Sequence, residues 1–231
     1  MALALFDLDH TLLDGDSDFL WGEFLCEIGA VDRASFGTAN ARFYREYLEG
    51  RLDIHEFLAF GLAVLARHEA ATLSAWRDAF VAERIAPRLS DAAHRLLDRH
   101  RAAADTLVIV TASNRFVTEP IAAALGVAHL IATEPEVDAA GRFTGRVAGT
   151  PSFRAGKVTR VEAWLAGRAE SLADSAFYSD SHNDLPLLER VARPTAVNPD
   201  PVLARIAAER GWPVLTIGTP FALAAARRAG A

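Results

Sequence analysis

Leu3-Ala4-Leu5-Phe6-Asp7-Leu8-Asp9-His10-Thr11 is the stretch that decides the fold. Four apolar residues run into a carboxylate and stop, the pattern of a buried strand whose carboxyl end turns polar. Side chains alternate along a strand, so Asp7 and Asp9 fall on the same side, two residues apart. From about Asp16 the spacing becomes helical. Leu20, Phe24 and Ile28 stand four apart, as do Phe43 and Tyr47, and Ile54, Phe57, Leu58, Gly61, Leu62 and Leu65 continue the pattern. Residues 16–86 hold eleven of the twenty aromatic side chains, which predicts a helical subdomain of about four helices with a small core of its own.

After Pro87 strands and helices alternate. Helices are predicted at residues 90–101, 117–125, 154–166, 185–190 and 202–210, and strands at 106–110, 129–132, 175–179, 195–198 and 214–217. Residues 134–148 read as a hairpin around Ala140-Gly141, since glycine supplies the positive φ such a turn needs. Residues 221–231 read as a terminal helix. Continuous apolar strands separated by amphipathic helices belong to a parallel sheet covered on both faces. The predicted architecture is α/β: a doubly wound parallel sheet built from residues 1–15 and 87–231, with a helical cap inserted at 16–86.

Composition narrows the function. The chain has 231 residues, 51% hydrophobic and 23% charged, which a packed globular core requires and a disordered chain does not show. One cysteine, Cys26, cannot form an intramolecular disulfide and reads as inert helix packing. The apolar N-terminal run lacks a basic leader and stops at Asp7, and no apolar stretch approaches the roughly 18 residues that span a bilayer. A soluble cytoplasmic protein is expected. A net charge of -6 with scattered arginines argues against nucleic-acid partners.

Ligands of doubly wound sheets sit beyond the carboxyl ends of the strands. Four polar stations lie there: Asp7 and Asp9; Thr111-Ala112-Ser113; Ser179-Asp180-Ser181-His182-Asn183-Asp184; and Lys157, the chain's single lysine among 24 basic residues. Carboxylates converging on one edge repel unless a cation sits among them, and hard oxygen ligands without cysteine or paired-histidine spacing select Mg²⁺. Lysine offers a compact point charge suited to one phosphate, where arginine offers a fork. The set is that of phosphoryl transfer to an aspartate.

DLDHT, VTAS, the isolated lysine and SDSHND, in this order, resemble the four motifs of the haloacid dehalogenase superfamily, from Leu3 to about Pro199. The helical insertion after the first motif resembles the cap of the phosphoserine-phosphatase-like branch. The resemblance implies that Asp7 is the nucleophile and Asp9 the general acid and base. It implies Mg²⁺ on the Asp7 carboxylate, the Asp9 carbonyl and Asp180, with Asp184 near the metal's water shell. Thr111 and Lys157 would hold the phosphate, with Ala112 and Asn183 completing the candidate phosphate set. Ser181 and Asp184 also match a helix capping box, which would make Asp184 a cap. His10 and His182 read as structural rather than metal-bound, because neither has a paired ligand spacing.

A phosphomonoesterase acting on a small soluble metabolite is the function these residues favour. A dehalogenase has no use for an acid at Asp9, because halide leaves unprotonated. A non-catalytic binding module would lack one of the catalytic set, and a lipid head-group phosphatase would want an apolar cap surface or anchor. In the branch this chain resembles, an acidic residue five positions after the motif threonine receives a substrate ammonium, and Asp16 stands there. A cap arginine there grips a carboxylate, and an ungapped alignment from Gly50-Arg51-Leu52 puts Ala59 at that position, with Arg51 and Arg67 as substitutes from other turns. The expected substrate is therefore an amino-alcohol phosphate without a carboxylate, histidinol phosphate first, with phosphoserine the alternative.

Overall fold

The computed structural model describes residues 2–217; the helix predicted at 221–231 lies outside the described residues. The chain begins with β1 (Leu3–Phe6) and enters four helices, α1 (Ser17–Glu27), α2 (Thr38–Leu48), α3 (Ile54–Leu65) and α4 (Ala70–Phe80). Single π-helical turns at Arg33–Gly37 and Val81–Ile85 extend the helical run. There follow α5 (Asp91–Ala102), β2 (Thr106–Asn114), α6 (Arg115–Ala124), β3 (His129–Thr133) and a hairpin of β4 (Pro135–Val137) with β5 (Phe143–Val147). The remainder is α7 (Ala155–Leu165), β6 (Ala176–Ser179), α8 (Leu185–Leu188), β7 (Arg193–Val197), α9 (Pro201–Arg210) and β8 (Val214–Leu215).

Six strands form one sheet in the order β3-β2-β1-β6-β7-β8, every pair parallel. β1 lies inside it, with Leu5 opposite Val108 on one side and Phe177 on the other. Alternation decides where its side chains go: Leu3 and Leu5 join Val108, Val110, Phe177 and Leu187 beneath one face, while Ala4 and Phe6 join Ile109 and Val117 beneath the other. This is the doubly wound sheet predicted, and the helices and hairpin fall where expected with shifted ends. β2 runs on to Asn114, four residues past the predicted end, and β7 starts two residues early at Arg193.

The inserted helices do not keep a separate core. Trp21, Phe24, Leu25, Leu58, Leu62, Leu73 and Phe80 belong to one cluster with Phe6, Leu8, Ile109 and Val117 of the sheet layer, and the smaller cluster of Phe43 and Leu52 includes Phe153 from the α7 side. The apolar stripes of α1, α3 and α4 are wide enough to cover the sheet layer as well as one another. The β4–β5 hairpin packs on α3: Gly145, at φ +81°, lies where an added Cβ would sit 3.4 Å from the Ala66 side chain.

Candidate active site

The loop that follows β1 carries the first two carboxylates. Asp7 is paired into the sheet through its backbone N–H on the Tyr178 carbonyl at 2.9 Å. His10 takes a left-handed conformation, φ +58°, and its N–H returns to the Gly15 carbonyl, folding residues 8–15 into a tight turn. Asp16 then caps α1 by accepting the Phe19 N–H at 2.7 Å. This fold-back delivers the N-terminus of α1 to Asp9, whose Oδ1 accepts the Ser17 N–H at 2.7 Å.

β2 contributes from the other side. Its pairing with β3 shifts between Val110 and Asn114, and the two-residue period directs both Thr111 and Ser113 at Asp9. Ser113 Oγ donates to Asp9 Oδ2 at 2.7 Å and Thr111 Oγ1 stands 3.4 Å from the same oxygen. Thr111, expected at the phosphate, thus faces Asp9 directly, and Ala112 lines the cavity above.

Lys157 enters from the first turn of α7. The preceding Arg154 holds φ +50°, a conformation few side chains adopt, and turns the chain into the helix. The ammonium lies 2.8 Å from Asp7 Oδ1 and 2.8 Å from Asp184 Oδ2, with all three residues buried at 2–3% exposure. These two carboxylates hold Lys157 protonated and raise its pKa against the opposing effect of burial. Asp184 also accepts from Ser179 Oγ at 2.7 Å. Of the expected capping box, the Ser181 half is present, its hydroxyl accepting the Asn183 N–H at 3.2 Å, while the Asp184 carboxylate makes no capping bond and is drawn into the site by Lys157 and Ser179 instead.

Asp180 accepts from Thr11 Oγ1 at 3.2 Å and interacts directly with Asp7. Burial, followed by the charges of Asp7, Asp184 and Asp200, pushes its carboxyl well above the usual range. Burial likewise pushes Asp7 up to about 7, with Asp184 and Asp9 adding to the rise and Lys157 opposing it. Asp9 is pushed up to about 6, by burial first and then by Asp16. One ammonium is thus set against Asp7, Asp180 and Asp184 together. Among the described residues no three His, Cys, Asp or Glu side chains form a ready metal cage. The donors instead suit a hard cation that takes one or two carboxylates and keeps its waters.

Above Asp7 and Asp9 a cavity opens between sheet and inserted helices. Its polar wall is Asp16, Asp18, Asn40 and Ser113, and its apolar wall is largely aromatic, with Phe19, Phe43, Tyr44, Phe57 and Phe153. Among the described residues lining it there is no arginine or lysine. Asp18 accepts from Asn114 Nδ2 at 2.9 Å, and burial followed by Asp16 and Asp9 raises its pKa well above the ordinary value. Tyr47 also lines the cavity, and burial beside Asp180, Asp7 and Asp184 keeps its hydroxyl protonated.

Two expected positions differ. Ala59 is exposed on α3 and outside the cavity lining, so the ungapped alignment misplaced it; Arg51 and Arg67 are exposed too. Asn183 is turned toward the inserted helices: its amide donates to the Tyr47 carbonyl at 3.3 Å and accepts from Arg154 Nε at 3.0 Å. His10 pairs with Tyr44 and His182 with Asp200, and Cys26 is buried in α1. Sequence reasoning missed Asp18, whose position in the first helical turn reads equally as dipole compensation. It placed Ser113 in the polar station after β2 but gave it no role, although a position two residues after Thr111 on a strand points the same way.

The site thus joins an aspartate pair beyond an inner strand of a parallel doubly wound sheet, a buried lysine and a second acidic loop, the arrangement of a hydrolase. The profile of the haloacid dehalogenase-like hydrolases matches residues 4–189, and the chain belongs to that family. It is 44% identical over 216 residues to a histidinol-phosphatase of Neisseria meningitidis, covering 92% of this chain and 97% of that one. It is 32% identical to a phosphoserine phosphatase of Mycobacterium tuberculosis, covering all of this chain and 78% of that one. A solved protein of unknown function from Bordetella pertussis superposes with a TM-score of 0.87 at 50% identity, covering 93% of this chain and 97% of that chain. Within its family the chain is a phosphatase. No helix among the described residues is long and apolar enough to cross a membrane.

Proposed function

We propose that the chain is a cytoplasmic Mg²⁺-dependent phosphatase of histidinol phosphate, with residues 16–86 acting as a cap over a core of 1–15 and 87–231. The cavity lining carries this reading. A substrate bearing an ammonium and an imidazole but no carboxylate suits walls of aspartate and aromatic rings. A carboxylate-bearing substrate would meet Asp16 and Asp18 with no basic side chain among the described lining residues to receive it. A missing charged partner costs about two orders of magnitude in specificity. The name of the 44% identical relative supports the same substrate.

Asp7 attacks phosphorus in line with the leaving oxygen, and Asp9 protonates the departing alkoxide. Asp9 then takes a proton from the water that hydrolyses the aspartyl-phosphate. A carboxyl pushed up to about 6 by burial is suited to both duties near neutral pH. Lys157 orients Asp7 and, with Thr111, supplies donors to the phosphate oxygens. Asp7, Asp180 and the Asp9 carbonyl would hold the magnesium ion, with Asp184 at its waters; when bound, it offsets the repulsion between Asp7 and the anionic phosphate.

The test is a side-by-side measurement of kcat/KM for histidinol phosphate, phosphoethanolamine and phosphoserine. Histidinol phosphate should lead phosphoserine by about a hundredfold or more. A preference for phosphoserine would overturn this reading and favour the substrate named for the 32% identical relative.

A further inference from the structure

We infer that Ser113 is a positioning residue for the general acid: its hydroxyl fixes the plane of the Asp9 carboxyl, so that the acid faces the leaving oxygen. This rests on the proposed role of Asp9. Each Asp9 oxygen is held at 2.7 Å by a different part of the fold, Oδ1 by the Ser17 N–H at the start of α1 and Oδ2 by Ser113 Oγ at the end of β2. A carboxyl group turns freely about its last bond unless both ends are engaged, and two short donors on opposite oxygens leave it one orientation. Ser113 is 5% exposed, so few waters can reach Asp9 in place of its hydroxyl. The other donor to Oδ2, Thr111 Oγ1, stands at 3.4 Å and also accepts the Ser113 N–H at 3.2 Å, so it is the weaker restraint. Ser113 has a second acidic neighbour in Asp18, and the experiment has to separate an effect through Asp9 from one through Asp18.

General acid catalysis matters in proportion to the basicity of the leaving oxygen. The probes are 4-nitrobenzyl phosphate, which releases a strongly basic alkoxide, and 4-nitrophenyl phosphate, which releases a weakly basic phenolate. They differ by one methylene, kcat/KM reports only the step in which the leaving oxygen departs, and the ratio of the two kcat/KM values does not depend on the fraction of enzyme that folds. Ser113→Ala should lower kcat/KM on the benzyl ester about ten- to thirtyfold and on the phenyl ester about threefold or less. Ser113→Thr, which keeps the hydroxyl, should restore the wild-type ratio. In an Asp9→Asn background, Ser113→Ala should produce no further benzyl-selective loss, because the group it positions is gone.

An equal loss on both esters in Ser113→Ala would overturn the inference, as would a benzyl-selective loss that persists in the Asp9→Asn background. Failure of Asp9→Asn itself to show a benzyl-selective loss would instead overturn the acid role assigned to Asp9.

Discussion

Replacing Lys157 by methionine tests the electrostatic arrangement most directly. The ammonium is the cation between Asp7 and Asp184, 2.8 Å from each, with no more than 4% of any of the three side chains exposed. Methionine fills similar volume without charge, so the main change is two carboxylates left in a dry site. Removing one partner of a buried ion pair destabilises by about 3–5 kcal/mol. For a chain of this size each kcal/mol moves Tm by about 2–4 °C, so metal-free Lys157→Met should melt roughly 6–20 °C below the parent at pH 9. The sign of the pH dependence follows from Asp7, which sits at about 7 even with the ammonium lowering it and rises further without it. A carboxyl with a raised folded pKa contributes stability at low pH that is lost as pH climbs through that value. The deficit of the variant should therefore be full at pH 9 and narrow by pH 5, where Asp7 is neutral. Thermal unfolding followed by circular dichroism in a chelator, at both pH values, reads this out. An equal deficit at the two pH values would refute the assignment of the penalty to ionised Asp7.

Three further outcomes follow from the same geometry. Asp7→Asn should lose at least about a thousandfold in turnover of 4-nitrophenyl phosphate yet melt above the parent at pH 8 without metal, since an amide avoids the burial of a charge; retained turnover, or a lower Tm, contradicts this. In the metal-free parent, Asp7 at about 7 and Asp9 at about 6 both lie above their ordinary 3.8, so Tm should fall between pH 5 and pH 8 and Mg²⁺ should flatten the slope; a Tm that rises over that interval without metal argues against the shifts. Gly50→Ala should destabilise by about 1–3 kcal/mol, because φ is +67° there and an added Cβ would lie 2.5 Å from His182 Nε2; an unchanged melting curve would show that this turn yields.

The core was legible because two independent periodicities agreed. Apolar runs ended at Asp7, Val110 and Ser179, and helices of ordinary length filled the gaps, so the sheet and its functional edge followed from pattern alone. Lys157, Asp7 and Asp184 were also legible, Asp7 and Asp184 as acidic residues beyond strand ends and Lys157 as the chain's single lysine at the start of a helix. What alternation cannot show is which partner a polar side chain chooses. Asp184 satisfies the spacing of a helix cap, but a buried ammonium at 2.8 Å outcompetes a backbone N–H for its oxygen. Asn183 carries the right chemistry for phosphate and is held by Arg154 and the Tyr47 carbonyl instead.

The inserted helices were read correctly as helices and incorrectly at the level of faces. Ala59 shows why: the helical pattern of residues 54–65 fixes which side chains are apolar, but the rotation of α3 about its axis is set by the hairpin that packs on it, with Gly145 against Ala66, and that contact spans about eighty residues of sequence. Rotation decides which residues reach the cavity, and Ile54 and Phe57 line it while Ala59 faces solvent. The expectation about substrate nevertheless survives the loss of its original argument. It was drawn from one alanine standing for one missing arginine, whereas the structure bases it on the whole wall: Asp16 and Asp18 face the space above Asp7, Arg51 and Arg67 point outward, and Arg154 donates to Asn183 and the Gly50 carbonyl. The proposed discrimination against a carboxylate therefore has two physical sources, the lack of a cation among the described lining residues and two acidic side chains already in place. Supplying a single arginine on α3 should consequently fail to create efficient phosphoserine turnover unless one of those acidic side chains is removed as well.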